Sequence, residues 1–144
     1  MEHINYESLK TSEEILRTLA DQTRIRIVRL LLTGGESCVC ELVDSLDLPQ
    51  YSVSRHLTAL KRVEVIQERR HGKWKYYQVH DQASRLIIKV LDAIIHDVTD
   101  DLLENDMSRY MRRVSCRVDG KCVAVKCCCG APNKDKPRLI IEDL

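Results

Sequence analysis

The hydrophobic period of this chain switches from helical to β near residue 64, and that change limits the fold more than any other feature. Before it, Val53, Leu57, Leu60 and Val63 fall three or four residues apart, the spacing of a helix buried along one face over residues 50–63. After it, residues 65–70 and 74–80 are β-rich runs around His71-Gly72-Lys73, which predicts a hairpin. A shorter helical segment, residues 37–46, precedes with Val39, Leu42, Val43 and Leu46. Asp47-Leu48-Pro49 separates the two helices, since proline has no amide hydrogen to extend a helical ladder. The centre of the chain is therefore a short helix, a tight break, a second helix and an immediate hairpin.

The flanks are helical. Residues 6–20 carry Leu9, Ile15, Leu16 and Leu19 at helical spacing, and Asp21 is a good N-cap for a helix over 22–33 that Gly34-Gly35 stops. One long helix is expected from about residue 82 to about 113. Its apolar arc, from Leu86 through Leu103, is wider than one core face needs and predicts a dimer surface. The 144 residues suit one domain at roughly 100–200 residues each. Phenylalanine is absent, so aliphatic side chains must build the core. The expected architecture is mainly α with a small β-hairpin: a winged helix–turn–helix, dimeric. Residues 1–113 would form the DNA-binding and dimerisation domain and residues 114–144 a Cys-rich tail. No apolar run approaches the ~20 residues of a membrane span, and the polar, acidic start is unlike a secretory signal. A cytoplasmic protein with no membrane partner is expected.

A net charge of +1 hides a strong asymmetry. Residues 51–80 hold seven Lys/Arg and two acids, or +5; residues 81–106 hold two bases and seven acids, or −5. A basic patch neutralises phosphates and releases counterions, so the positive half is expected to meet double-stranded DNA. Gln50, Tyr51, Ser52, Ser54, Arg55 and His56 at the start of the second helix, with Lys61 further along it, suit phosphates and base edges. Arg69, Arg70, His71 and Lys73 at the hairpin tip would follow a neighbouring groove. No nucleophile–base arrangement or phosphate loop is present, so an enzyme is not expected.

Taken in order and at these spacings, Leu19-Ala20-Asp21-Gln22-Thr23-Arg24-Ile25-Arg26-Ile27, Cys38-Val39-Cys40-Glu41-Leu42, Ser52-Val53-Ser54-Arg55-His56-Leu57 and Gly72-Lys73-Trp74-Lys75-Tyr76-Tyr77 resemble the ArsR/SmtB family of metal-responsive transcriptional repressors. The resemblance covers roughly residues 11–105. It implies a homodimer with the first and long last helices at its interface, an inverted-repeat operator, and release of the DNA when metal binds. The family's zinc site on the long helix looks absent, because Ala83 and Arg85 occupy the upstream ligand positions and leave His96 without a set.

Seven cysteines are many for a reducing compartment, where disulfides are disfavoured, and an odd number cannot pair off within one chain. Cys38 and Cys40 resemble the thiolate pair of arsenic-, lead- and cadmium-sensing members. On a regular helix, residues i and i+2 point about 200° apart, so one ion can hold both only if the backbone there is non-helical. Two sulfurs are also too few. Arsenite and antimonite prefer three in a pyramid; cadmium and zinc take four ligands near tetrahedral. Some family members supply the third thiol three residues after the pair, where this chain has Val43. Others supply it from the N-terminus, where residues 1–37 contain no cysteine. The missing ligand must then come from Cys116, Cys122, Cys127, Cys128 or Cys129, of the same subunit or the partner, and a second site made wholly from those five is open. The inducer expected first is As(III) or Sb(III). Cd(II), Pb(II) or Zn(II) on the same fold, or a cysteine redox switch, are the alternatives.

Overall fold

Asp21 takes an extended conformation, and its side chain accepts a hydrogen bond from the Arg24 amide at 3.1 Å. That cap starts α2 (Gln22–Gly34), the helix that touches every other helix among the described residues. The structure is a computed structural model and describes residues 9–81 and 85–122, apart from the side chains of Leu86 and Ile87. Residues 6–8 and 82–84, within the expected first and last helices, and Cys127, Cys128 and Cys129 lie outside the described residues. The remaining elements are α1 (Leu9–Leu19), β1 (Ser37–Cys38), α3 (Val39–Leu46), α4 (Gln50–Arg62), β2 (Ile66–His71), β3 (Trp74–Val79), α5 (Arg85–Asp97) and α6 (Asp101–Val114). This is a winged helix–turn–helix with additional helices at its C-terminal side. No described helix is long and apolar enough to cross a membrane.

The expected break stands: Asp47 ends α3 in the left-handed region (φ 54°), and Pro49 is the N-cap of α4. The hairpin is closed by Gly72-Lys73, with His71 opposite Trp74 and Gly72 at φ 60°. A positive φ at the first position of a two-residue turn matches the twist of the strands it joins.

Two elements differ from the sequence expectation. Residues 37 and 38 are a strand rather than the start of a helix. Gly35, at φ 79°, redirects the chain, and Ser37 and Cys38 pair antiparallel with Tyr77 and Tyr76, giving the sheet order β1-β3-β2. The expected long helix is broken. Asp100 is extended and its Oδ1 accepts from the Leu102 amide at 2.7 Å, so a new helix starts there. A side-chain acceptor for an otherwise orphaned amide outcompetes continuation of the ladder.

The break lets α6 fold back over α2 and α3. Asp106, 1% exposed, accepts from Arg26 at 2.7 and 2.9 Å and from Arg109 at 2.8 Å. Arg26 also donates to the Leu46 carbonyl (2.9 Å), Arg109 to the Ser45 carbonyl (2.7 Å), and Arg29 to the Leu103 carbonyl. The arginines that interrupt the apolar run of α2 thus serve as its links to α6. Around them the core is aliphatic, with Ile27, Leu30, Leu42, Leu57, Leu60 and Leu91 fully buried, and Tyr110 is the largest side chain in it.

Tyr110 lies where a side chain at position 34 would have to go: a Cβ on Gly34 would overlap its ring. Gly34→Ala should gain at most about 1 kcal/mol of helix propensity and lose about 1–3 kcal/mol to overpacking. The variant is expected to be less stable in denaturant unfolding, with an unchanged m-value.

Candidate functional site

Cys38 is the N-cap of α3, with φ −85° and ψ 164°, and Cys40 sits in the helix's first turn. The extended backbone at Cys38 removes the opposition that a regular helix would impose on positions i and i+2, and the two Sγ atoms lie 2.8 Å apart. Cys122 Sγ is 3.4 Å from Cys40 Sγ. It arrives by a tight turn after α6, in which Val118 and Lys121 exchange backbone hydrogen bonds (3.0 and 2.9 Å) around Asp119-Gly120, both at positive φ. The three sulfurs all lie within 4.8 Å of one another, the one such gathering of His, Cys, Asp or Glu ligand atoms found among the described residues. Sulfurs held at about 2.3 Å from a tetrahedral ion stand about 3.8 Å apart, so the trio could hold a soft ion with little movement. Cys116 is buried elsewhere, its thiol donating to the Arg112 carbonyl at 3.5 Å. His96, exposed on α5, has Nδ1 2.9 Å from the Asp92 carbonyl of its own turn.

Arginine–carboxylate pairs surround the thiols. Cys38 and Cys122 donate toward Cys40, and these hydrogen bonds, with the Arg113 guanidinium, hold the Cys40 thiol well below its ordinary pKa. The same sharing pushes Cys38 up. The helix N-terminus adds a favourable field for a thiolate at this point. Arg113 donates to Asp44 (2.8 Å) and to Cys122 Sγ (3.4 Å). Glu41, 0% exposed, accepts from the Cys38 amide (3.0 Å) and from both Nε and Nη2 of Arg117 (2.7 and 3.0 Å). Tyr76, opposite Cys38 in the sheet, packs against Cys38 and Cys122. Of these residues, Glu41 and Tyr76 stand in the sequence motifs that carry the family resemblance. Arg113, Arg117 and Tyr76 act across long sequence separations.

The basic surface is assembled from α4 and the wing. Gln50, Tyr51 and Arg55 are exposed on the first turns of α4, with Tyr51 at 76%, and Ser52 and Ser54 are half-buried. Arg70, His71 and Lys73 are exposed around the hairpin tip. His56 differs from the expectation. It is 8% exposed because the helical period places it on the side of Val53, Leu57 and Leu60, and its Nδ1 accepts from Arg24 Nε at 3.2 Å. Burial lowers its pKa, so it ties α4 to α2 as a neutral ring. Two cations are engaged within the chain: Lys61 with Glu68 (3.2 Å), and Arg69 with both carboxylate oxygens of Glu36 (3.0 and 2.5 Å). Glu36 precedes Cys38 by two residues, and Arg69 also stacks over Tyr76, 5.2 Å from the ring centroid. The wing and the thiols are thus physical neighbours.

Residues 21–68 match the family described as "Bacterial regulatory protein, arsR family". The arsenic resistance transcriptional regulator ArsR1 of Pseudomonas putida is 36% identical over 95 residues, which cover 66% of this chain and 73% of that protein. The arsenical resistance operon repressor of Escherichia coli K12 is 38% identical over 79 residues, covering 55% and 68%. This chain belongs to the ArsR/SmtB family. The solution structure of Mb0332 from Mycobacterium bovis, titled a homodimeric winged helix–turn–helix DNA-binding domain, superposes with a TM-score of 0.52 at 24% identity, covering 60% of this chain and 76% of that one. The fold and relatives are those of DNA-binding transcriptional regulators, not enzymes. The ArsR-family match contains Cys38 and Cys40 but ends before α6, so Cys122 and the arginines around it lie beyond the matched segment.

A thiol of ordinary pKa, about 8.5, loses roughly 80-fold of its thiolate between pH 8 and pH 6. Because the Cys40 pKa is lowered, its thiolate persists through that range. Limited alkylation with iodoacetamide, read by peptide mass spectrometry, should show Cys40 retaining most of its pH 8 rate at pH 6 while a free-cysteine reference peptide in the same reaction loses nearly all of its own.

Proposed function

We propose that this ArsR/SmtB repressor binds an inverted-repeat operator as a homodimer and releases it when As(III) or Sb(III) is held by Cys38, Cys40 and Cys122. The observation that carries the reading is the gathering of three sulfurs at the N-terminus of α3, with no imidazole or carboxylate among the ligand atoms. A three-sulfur set suits a pyramidal trivalent ion, and a tetrahedral Cd(II) or Zn(II) site needs a fourth donor. The named activities of the Pseudomonas and Escherichia relatives point the same way.

The coupling is local. The thiols are at the start of α3, the helix before the DNA-facing α4, and beside the wing through Glu36 and Tyr76. An ion that binds one arrangement of this junction more tightly than the other shifts the protein away from its DNA-binding form by that difference in affinity. Gln50, Tyr51, Ser52, Ser54 and Arg55 of α4, with Arg70, His71 and Lys73 of the wing, carry the DNA contacts in this reading. Lys61 and Arg69 join them on leaving Glu68 and Glu36. Dimerisation is supported by the exposed apolar residues Leu9 and Leu16 on α1 and Ile88 on α5, and by the homodimer named for the Mycobacterium bovis relative.

The deciding experiment is operator release titrated with arsenite, antimonite, cadmium, lead and zinc under reducing conditions, which also separates ion binding from thiol oxidation. Cys38→Ser combined with Cys40→Ser, or Cys122→Ser alone, should leave operator affinity within about twofold and abolish release by arsenite. Full release by the Cys122→Ser variant would move the site into the remaining tail cysteines. Arg55→Ala should weaken operator binding by about 1–3 kcal/mol without altering arsenite stoichiometry.

A further inference from the structure

We propose that Arg117 and Arg113 are positioning residues that hold Cys122 against the two thiols of its own protomer before any ion binds. This rests on the three-sulfur reading above. Arg117 precedes Cys122 by five residues and is clamped on the α3 side at three points: two oxygens of Glu41 and the Glu36 carbonyl, at 2.7, 3.0 and 3.0 Å. Glu41 Oε1 also accepts from the Cys38 amide. One buried carboxylate therefore fixes both the segment that supplies the first sulfur and the segment that supplies the third. Arg113, one turn earlier, pairs with Asp44 of α3 and reaches Cys122 Sγ itself. The Asp119-Gly120 turn then returns the chain the short distance to Cys40.

The consequence for binding is entropic. A cysteine on an untethered tail must be ordered when the ion arrives, and that ordering weakens binding. Here the ordering belongs to folding. The clamp is also specific to arginine, because a planar fork is needed to meet both Glu41 oxygens and a lysine offers only a point charge. It is built from residues of one chain, so the site is complete within each protomer and dimerisation serves the DNA.

The test uses the full chain with Cys127→Ser, Cys128→Ser and Cys129→Ser, so that the tail offers no competing trio. Arsenite is titrated under reducing conditions and followed by sulfur-to-arsenic absorption. Arg117→Gln and Glu41→Gln, the latter keeping a carbonyl for the Cys38 amide, should each weaken arsenite binding by about 10- to 100-fold. The absorption at saturation and the ion-free affinity for operator should be unchanged. The double variant should be no weaker than the weaker single, because the two share one interaction, and Arg117→Lys should not restore affinity. Mixed chains carrying Cys38→Ser and Cys40→Ser on one and Cys122→Ser on the other should give no three-sulfur absorption. Unchanged affinity in both single variants, multiplying losses in the double, or absorption recovered on mixing would each overturn the proposal. A parent chain with no three-sulfur absorption at all would overturn the underlying reading as well.

Discussion

Arg26 and Asp106 meet in the interior, eighty residues apart in the chain, and most of the second half of the molecule is arranged around that contact. Moving a guanidinium and a carboxylate out of water carries a desolvation cost that their attraction offsets only when every remaining donor and acceptor is used. Here Asp106 takes a further bond from Arg109 and Arg26 gives one to the Leu46 carbonyl, the last residue of α3. Such a pair contributes less to stability than to exclusivity, since α6 in any other place would leave a charge buried alone. Fixing α6 fixes Val114 at its end, and hence where the following eight residues can reach.

Local signals made the centre of the fold readable. The break at Asp47-Leu48-Pro49, the Gly72 turn and the capping aspartate at 21 each act within a few residues, and each is found where its chemistry places it. The elements that escaped depend on partners far away. Ser37 and Cys38 become a strand because Tyr76 and Tyr77 offer a free edge, and nothing in residues 34–40 announces that edge. The helical period does not reveal the break at Asp100 either, because apolar spacing continues on both sides while the cap is a single oxygen. At the candidate site, the condition that Cys38 be non-helical for Cys38 and Cys40 to face each other was legible. That Cys122 is the later cysteine beside them was not, because its place depends on Arg113 and Arg117 meeting acids on α3. His56, grouped by its chemistry with the DNA-facing polar residues, is buried because it lies on the Val53–Leu57–Leu60 face of α4.

The +5 count over residues 51–80 likewise exceeds the charge the surface presents. Arg69 and Lys61 are matched inside the chain by Glu36 and Glu68, one of them outside the counted segment. Exposed ion pairs of this sort are individually weak and screened by salt, so a phosphate can displace them readily. The free reading surface is smaller and more concentrated on α4 and the hairpin tip than the composition suggests.

The Asp100 cap also sets a length. A helix unbroken from residue 85 to 114 would run about 45 Å at ~1.5 Å per residue, a rod projecting its C-terminal end away from the reading head. The three-residue interruption halves that rod and turns its second half into a return arm. Chain direction, more than distance along the sequence, is what makes position 122 a neighbour of position 40. A chain with a straight helix there would keep the surface of α4 and the hairpin but would not bring position 122 back beside position 40. One aspartate oxygen bonded to one amide therefore separates two different ways of wiring the same head.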